Sequence, residues 1–174
     1  MAGVYALAGS FIAYRIISAE GSELIPLWVA PGEISNFTDL LILALAVLVF
    51  ALGTAIILSR LKTQKSGEKL WNPVSRRLVF NLAVPLVTGA LFIFILVSKG
   101  LPGLIAPVSL IFYGLALLNA SKFTFEEIKY FGIIEIFLGL LASYYFEYGL
   151  FFWALGFGLM HIVYGIYMHL KYEK

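Results

Sequence analysis

Six apolar stretches, separated by short polar connections, dominate the chain. They run from about Ala2 to Ser18, Leu40 to Ser59, Leu78 to Ser98, Gly103 to Ala120, Ile128 to Phe146 and Leu150 to Leu170. Each approaches the roughly 20 residues that a helix needs to cross the hydrocarbon core of a bilayer. None alternates with the period of two expected of a membrane barrel strand. The pattern therefore predicts an all-α fold, a single domain over residues 1–174 built as a six-helix transmembrane bundle. Thr38 or Asp39 is placed to cap the second helix, whose only clearly polar interior residue is Thr54. The short turns at Lys99–Pro102 and Glu147–Gly149 make helices three and four, and five and six, antiparallel neighbours.

The charges in the connections alternate. Glu20, Glu23, Glu33 and Asp39, with no basic residue, lie between the first two stretches. Arg60, Lys62, Lys65, Lys69, Arg76 and Arg77 lie between the second and third. Only Lys99 occupies the next turn, Lys122 and Lys129 are the bases of the one after it, Glu147 stands in the last turn, and Lys171 and Lys174 end the chain. Ten of the twelve basic residues thus fall on one side, which the positive-inside rule assigns to the cytoplasm together with both termini. The expected location is the inner (cytoplasmic) membrane. Tyr144, Tyr145, Tyr148 and Trp153 mark one interface, and Tyr167 and Tyr172 the other. The apolar segment Pro26-Leu27-Trp28-Val29-Ala30-Pro31 is too short to cross and is expected to lie on the bilayer surface or cap the bundle.

Composition agrees. Apolar residues make up 61% of the chain, charged residues 13%, and mean hydropathy is +0.96. Soluble domains average about 45–50% apolar and about 25% charged. A soluble fold of this size lacks the interior volume to hide such a sequence. The absence of cysteine excludes disulfides, thiolate metal sites and cysteine nucleophiles.

Two ionisable residues interrupt the apolar stretches at matching depth. Glu135 and His161 each lie about nine residues, or about 14 Å, from the cytoplasmic ends of helices five and six. Gly132 and Gly139 stand at i−3 and i+4 from Glu135, and Gly158 and Gly165 at i−3 and i+4 from His161. Small residues allow close helix approach in membranes. The expectation is that the two glycine stripes face each other, or that both face the interior, with Glu135 touching His161. An ionisable group at this depth is costly unless paired or hydrated, so the pair is a candidate site for a ligand, ion or proton. The competing explanation is that the pair is interhelical glue.

Asn81 and Asn119 are secondary candidates for a vestibule. Asn81 precedes Pro85 by four residues, which frees its carbonyl and predicts a kink in helix three. Arg15 is expected to snorkel or to pair with Glu20 or Glu23. The basic run Arg60–Arg77 is a topology signal that also suits anionic headgroups. Other chemistry lacks its motif. His161 is the only deep histidine, since His169 lies eight residues on near the interface, so a bis-histidine haem is not expected. H-E-x-x-H, G-x-S-x-G, Walker and G-x-G-x-x-G sequences are all absent. No cofactor, metal or nucleic-acid partner is expected. The expected partners are the lipid bilayer and either a second copy of the chain or another subunit of a membrane complex.

The segments Glu135–Leu140, Gly149–Gly158, His161–Met168 and Lys171-Tyr172-Glu173 resemble a family of small, uncharacterised bacterial multi-pass integral membrane proteins. The resemblance covers most of the chain. Members carry a further polar N-terminal segment, which implies that a natural stretch precedes Met1; a signal peptide is disfavoured because no basic residue leads the first stretch. The family has no established activity and assigns no site residue. Two classes of function remain: a transporter-like or sensor-like bundle acting through Glu135 and His161, and a non-catalytic accessory or scaffold subunit. An enzyme is the least supported, because one acid–base pair is all that is on offer.

Overall fold

The computed structural model describes residues 1–18, 37–66 and 71–172, with side chains outside 37 and 62–66. The acidic connection containing Glu20, Glu23 and Glu33, the Pro26–Pro31 segment, Lys69 and Lys174 lie outside the described residues, as do the proposed partners of Arg15. The described residues are helical and contain no strand. In order they form α1 (Ala2–Ser18), α2 (Phe37–Ser66), α3 (Pro73–Ser98), α4 (Ile105–Ala120), α5 (Glu127–Tyr144), α6 (Gly149–Trp153) and α7 (His161–Tyr172). A π-helical stretch, Ala154–Met160, joins α6 to α7, so that Phe146–Tyr172 is one continuous rod and the described residues form six rods.

Local chemistry sets the ends. The side chain of Asn72 accepts a hydrogen bond from the Ser75 backbone N–H at 2.8 Å, and Pro73 occupies the first helical position, so α3 starts about a turn before its apolar stretch. At its other end Gly100 has φ 71°, the Leu101 N–H bonds to the Leu96 carbonyl at 2.9 Å, and the Gly100 N–H bonds to Val97 at 3.0 Å. This is a Schellman ending, which only glycine adopts without strain. It turns the chain within the predicted Lys99–Pro102 interval. α3 continues as one helix through Pro85.

Four rods are long and apolar enough to cross a membrane: Thr38–Leu61, Pro73–Ser98, Pro102–Phe123 and Phe146–Tyr172. Ala2–Ser18 is apolar but has 17 residues. α5 has 18 residues and carries Glu127, Lys129 and Glu135.

α4 is the centre of the bundle. Leu110 and Ala116 are completely buried, as is Pro107 in its first turn. α3 packs on one side of α4, α5 on another, and α6 on a third, while α1 lies on the π stretch and α7 and joins α2. The Tyr5 hydroxyl and Thr54 Oγ1 lie 3.2 Å apart, so the polar residue in the middle of α2's apolar stretch meets α1.

This packing corrects the expected pairing of glycine stripes. Gly132 and Gly139 face α4: a methyl on Gly132 would lie 2.7 Å from the Gly114 carbonyl oxygen, and one on Gly139 would lie 2.6 Å from Ile111. Gly158 faces α1, where a methyl would run into the Leu7 side chain, and Gly165 has no neighbour within 4 Å. Three of the four glycines are buried, Gly132 and Gly139 against α4 and Gly158 against α1, because glycine spacing specifies a thin face and leaves its partner open.

Where α5 begins and α7 ends, Lys171 donates to Glu127, and the Tyr172 hydroxyl donates to the same oxygen at 2.8 Å. The Phe125 and Tyr172 rings pack at 4.5 Å beside this clamp. The Lys171 hydrogen bond, aided by Tyr172, holds the Glu127 carboxyl down to about 2. Because its folded value is depressed, the clamp contributes fully above the ordinary carboxylate value of 4.5 and is lost as pH falls through about 2. Thermal unfolding in detergent should show wild type more stable than Glu127→Gln at neutral pH, with the gap closing across that acidic window. A gap that persists at the acid end would show that the clamp does not act through this carboxylate.

Candidate functional site

Glu135 projects from the middle of α5 and has no exposed surface. Neither of its oxygens has a hydrogen-bond partner. One oxygen, Oε1, lies 3.9 Å from Nδ1 of His161, inside ion-pair range and beyond a hydrogen bond. The other is covered by the backbone of the π stretch: a methyl on Gly156 would sit 2.5 Å from Oε2 and 2.5 Å from Leu110. Glycine at 156 lets the chain pass this close without displacing the Glu135 and Leu110 side-chain ends.

His161 is the first residue of α7, immediately after the π stretch. Its ring Nδ1 lies 3.0 Å from the Gly156 carbonyl oxygen, five residues back, while its backbone N–H bonds to Gly158. A carbonyl can only accept, so Nδ1 carries the proton. The other nitrogen, Nε2, lies 2.7 Å from the Tyr113 hydroxyl of α4. In the neutral ring Nε2 is an acceptor and Tyr113 the donor, which fixes both tautomer and ring orientation. The ring stacks on Tyr113 at 5.3 Å and meets the Phe131 edge at 4.8 Å, with Phe157 at 5.9 Å. Its side chain retains 16% exposure, against 0% for Glu135.

Sequence and structure differ in the membership of this site. Glu135 and His161 come together from neighbouring rods. Asn81 does not join them: its amide donates to the Arg77 carbonyl of its own helix at 2.8 Å. Asn119 is half-buried on α4, and among the described residues no hydrogen bond joins it to Asn81. Tyr113 and Gly156 are the members that sequence reasoning missed. Tyr113 had a legible signal, since a tyrosine in mid-stretch, away from both aromatic belts, needs a partner for its hydroxyl. Gly156 lay in a run that reads equally well as ordinary helix packing.

An open furrow of about 280 Å³ runs between α5 and α7. It extends from Glu127 and Tyr167 to Ile134 and Met160, with Phe131 and Tyr164 along its wall. Phe131 in this wall meets the His161 ring at 4.8 Å. The Tyr164 hydroxyl is buried without a hydrogen-bond partner. The arrangement can bind a cation or exchange a proton between carboxyl and imidazole.

No protein family, curated protein or solved structure matches the chain.

Proposed function

We propose that the chain is a multi-pass protein of a bacterial inner membrane that handles a small ligand or ion through Glu135 and His161, in the manner of a transporter or sensor. All six rods cross the membrane in this reading, with both termini in the cytoplasm. The 17 residues of α1 and 18 of α5 extend about 25–27 Å, close to a hydrocarbon core of about 30 Å. The mid-helix charge of α5 points into the bundle, where lipid does not meet it. The basic connections supply the orientation. Reporter tags after residue 65 and after residue 148 should land in opposite compartments, and the same compartment for both would overturn the six-span path. Membership of the family of small bacterial membrane proteins is part of the proposal.

The observation that carries the functional reading is the fully enclosed Glu135 carboxyl with neither oxygen hydrogen-bonded, 3.9 Å from His161. Interhelical glue gains from satisfied hydrogen bonds, and an unsatisfied buried carboxyl is a net cost. Proteoliposomes challenged with gradients of protons, sodium, potassium and small organic solutes test the reading. One gradient should collapse faster with wild type than with folded Glu135→Gln or His161→Ala. Identical behaviour in all three proteins, for every gradient, would end it.

A second reading, an accessory or scaffold subunit, draws on α2, which packs chiefly on α1, and on Gly53 and Gly165, which have nothing within 4 Å. Native mass spectrometry from mild detergent separates the two. A stable oligomer or a co-purifying partner, with no Glu135-dependent flux, favours the scaffold.

A further inference from the structure

We infer that the species handled at the Glu135–His161 site is the proton, delivered to Glu135 through the His161 ring, with Tyr113 as the residue that positions that ring. The inference rests on the ion-handling reading and narrows it to one cargo.

Space is the first argument. The carboxyl is enclosed by Leu110 and the Gly156 backbone so closely that a single methyl at 156 would lie 2.5 Å from both the carboxyl and Leu110. No room for a hydrated ion or organic ligand is left on that side of the carboxyl, whereas a proton needs no volume. Donor number is the second. A zinc-type ion takes about four side-chain ligands, and among the described residues no third His, Asp or Glu joins this pair.

Connectivity is the third argument. Glu135 has no exposed surface, while the His161 side chain keeps 16%. His161 therefore stands between the carboxyl and the outside of the bundle, and Phe131, which lines the furrow between α5 and α7, packs on its ring at 4.8 Å. In the transfer, hydronium gives up one O–H bond as an Nε2–H bond forms, and the Tyr113 hydroxyl turns from donor to acceptor. The imidazolium so formed lies against the Tyr113, Phe131 and Phe157 rings, whose faces and edges surround it within 5.9 Å. The Nδ1–H bond then breaks as an O–H bond forms on the ionised Glu135 carboxylate. This requires the 3.9 Å separation to close to about 2.8 Å. The ring ends neutral in the opposite tautomer, and the other product is water. Of the titratable groups on the neighbouring elements, Tyr113 of α4 contacts the pair directly, and Tyr164 of α7 stacks on Phe131 beside it.

Infrared spectroscopy of the protein in lipid vesicles tests the inference directly. A carboxylic acid C=O band should be present in wild type and missing in Glu135→Gln. On transfer to D2O it should shift promptly in wild type and roughly a hundredfold more slowly in His161→Gln, the low end of what a positioned acid–base group contributes. Tyr113→Phe should retain the band and displace the pH profile of exchange, which a purely structural tyrosine would not do. Equal exchange rates in wild type and His161→Gln overturn the inference. If His161→Gln fails to fold, an unmoved pH profile in Tyr113→Phe does so instead. Sodium or potassium flux that requires Glu135, with exchange that ignores His161, would leave the ion-handling reading standing and remove the proton. If no gradient, the proton gradient included, depends on Glu135, the underlying reading falls and this inference with it.

Discussion

Gly114→Ala is expected to cost roughly 3 kcal/mol of stability, the upper part of the range for overpacking a close-packed contact. The added methyl would lie 2.5 Å from the Gly132 carbonyl oxygen, 2.7 Å from the Ile136 side chain and 2.8 Å from the Ile136 nitrogen. Two of these three atoms are backbone, so no rotamer change relieves them, and α4 must move away from α5. This is the most extensive helix–helix interface in the bundle, and it sets the site as well as the fold. Tyr113 precedes Gly114, and Ile136 is the next residue after Glu135, so separating the helices draws the carboxyl and the tyrosine off the histidine together. Gly165→Ala is the matched control. Nothing lies within 4 Å of Gly165, and alanine is the better helix former by about 0.5–1 kcal/mol. Thermal unfolding in detergent should therefore rank Gly165→Ala at or above wild type and Gly114→Ala far below it. Equal midpoints for the two variants would show that α4 and α5 do not approach in this way.

Glu135→Met should raise stability by about 1–3 kcal/mol, the cost of leaving a buried polar group unsatisfied. Methionine matches the length of glutamate and its flexible side chain fills the same space without a polar atom. Glu135→Gln, which keeps two polar atoms in the same place, should gain little. The sign of the methionine effect separates the two explanations for the pair. If the carboxyl is glue, its removal costs stability. If the carboxyl is kept for function at the expense of stability, its removal stabilises the protein while the Glu135-dependent flux disappears. A lower unfolding midpoint for Glu135→Met would mean that the carboxyl has a compensating partner and would restore the glue explanation.

Much of the helical layout is readable from the sequence, because burying backbone polar groups in an apolar setting leaves few alternatives to helix. α1 begins where its apolar stretch does, at Ala2, and is helical through Ser18. α5 ends two residues before its stretch, at Tyr144. α2 extends to Ser66, past Ser59, because Arg60 and Leu61 are good helix formers and hydropathy is blind to propensity. α3 begins at Pro73 for the related reason that Asn72 and Pro73 are a helix start in polar residues.

The site was legible in part for a different reason. Matching depth on two rods joined by a tight turn was enough to bring Glu135 near His161. It did not reveal what His161 bonds to, because the ring's partners come from a third rod and from a carbonyl freed by an irregular stretch of backbone. An unbroken α-helical period from Gly158 to Gly165 would place both glycines on the His161 face. The π stretch Ala154–Met160 widens the turn and rotates α7 relative to α6. Gly158 thus meets α1, His161 meets α4, and Gly165 meets nothing.

What the sequence determined by itself was which segments are helical, where they turn, and that one acid and one imidazole sit deep in apolar surroundings; hydropathy and local capping are properties of neighbouring residues. Tertiary structure alone decided which faces touch, that Gly114 and Gly132 draw α4 and α5 together, and that Tyr113 completes the site. Those outcomes depend on backbone approach within a fraction of an ångström between segments distant in the chain, and no periodicity within one helix encodes its partner.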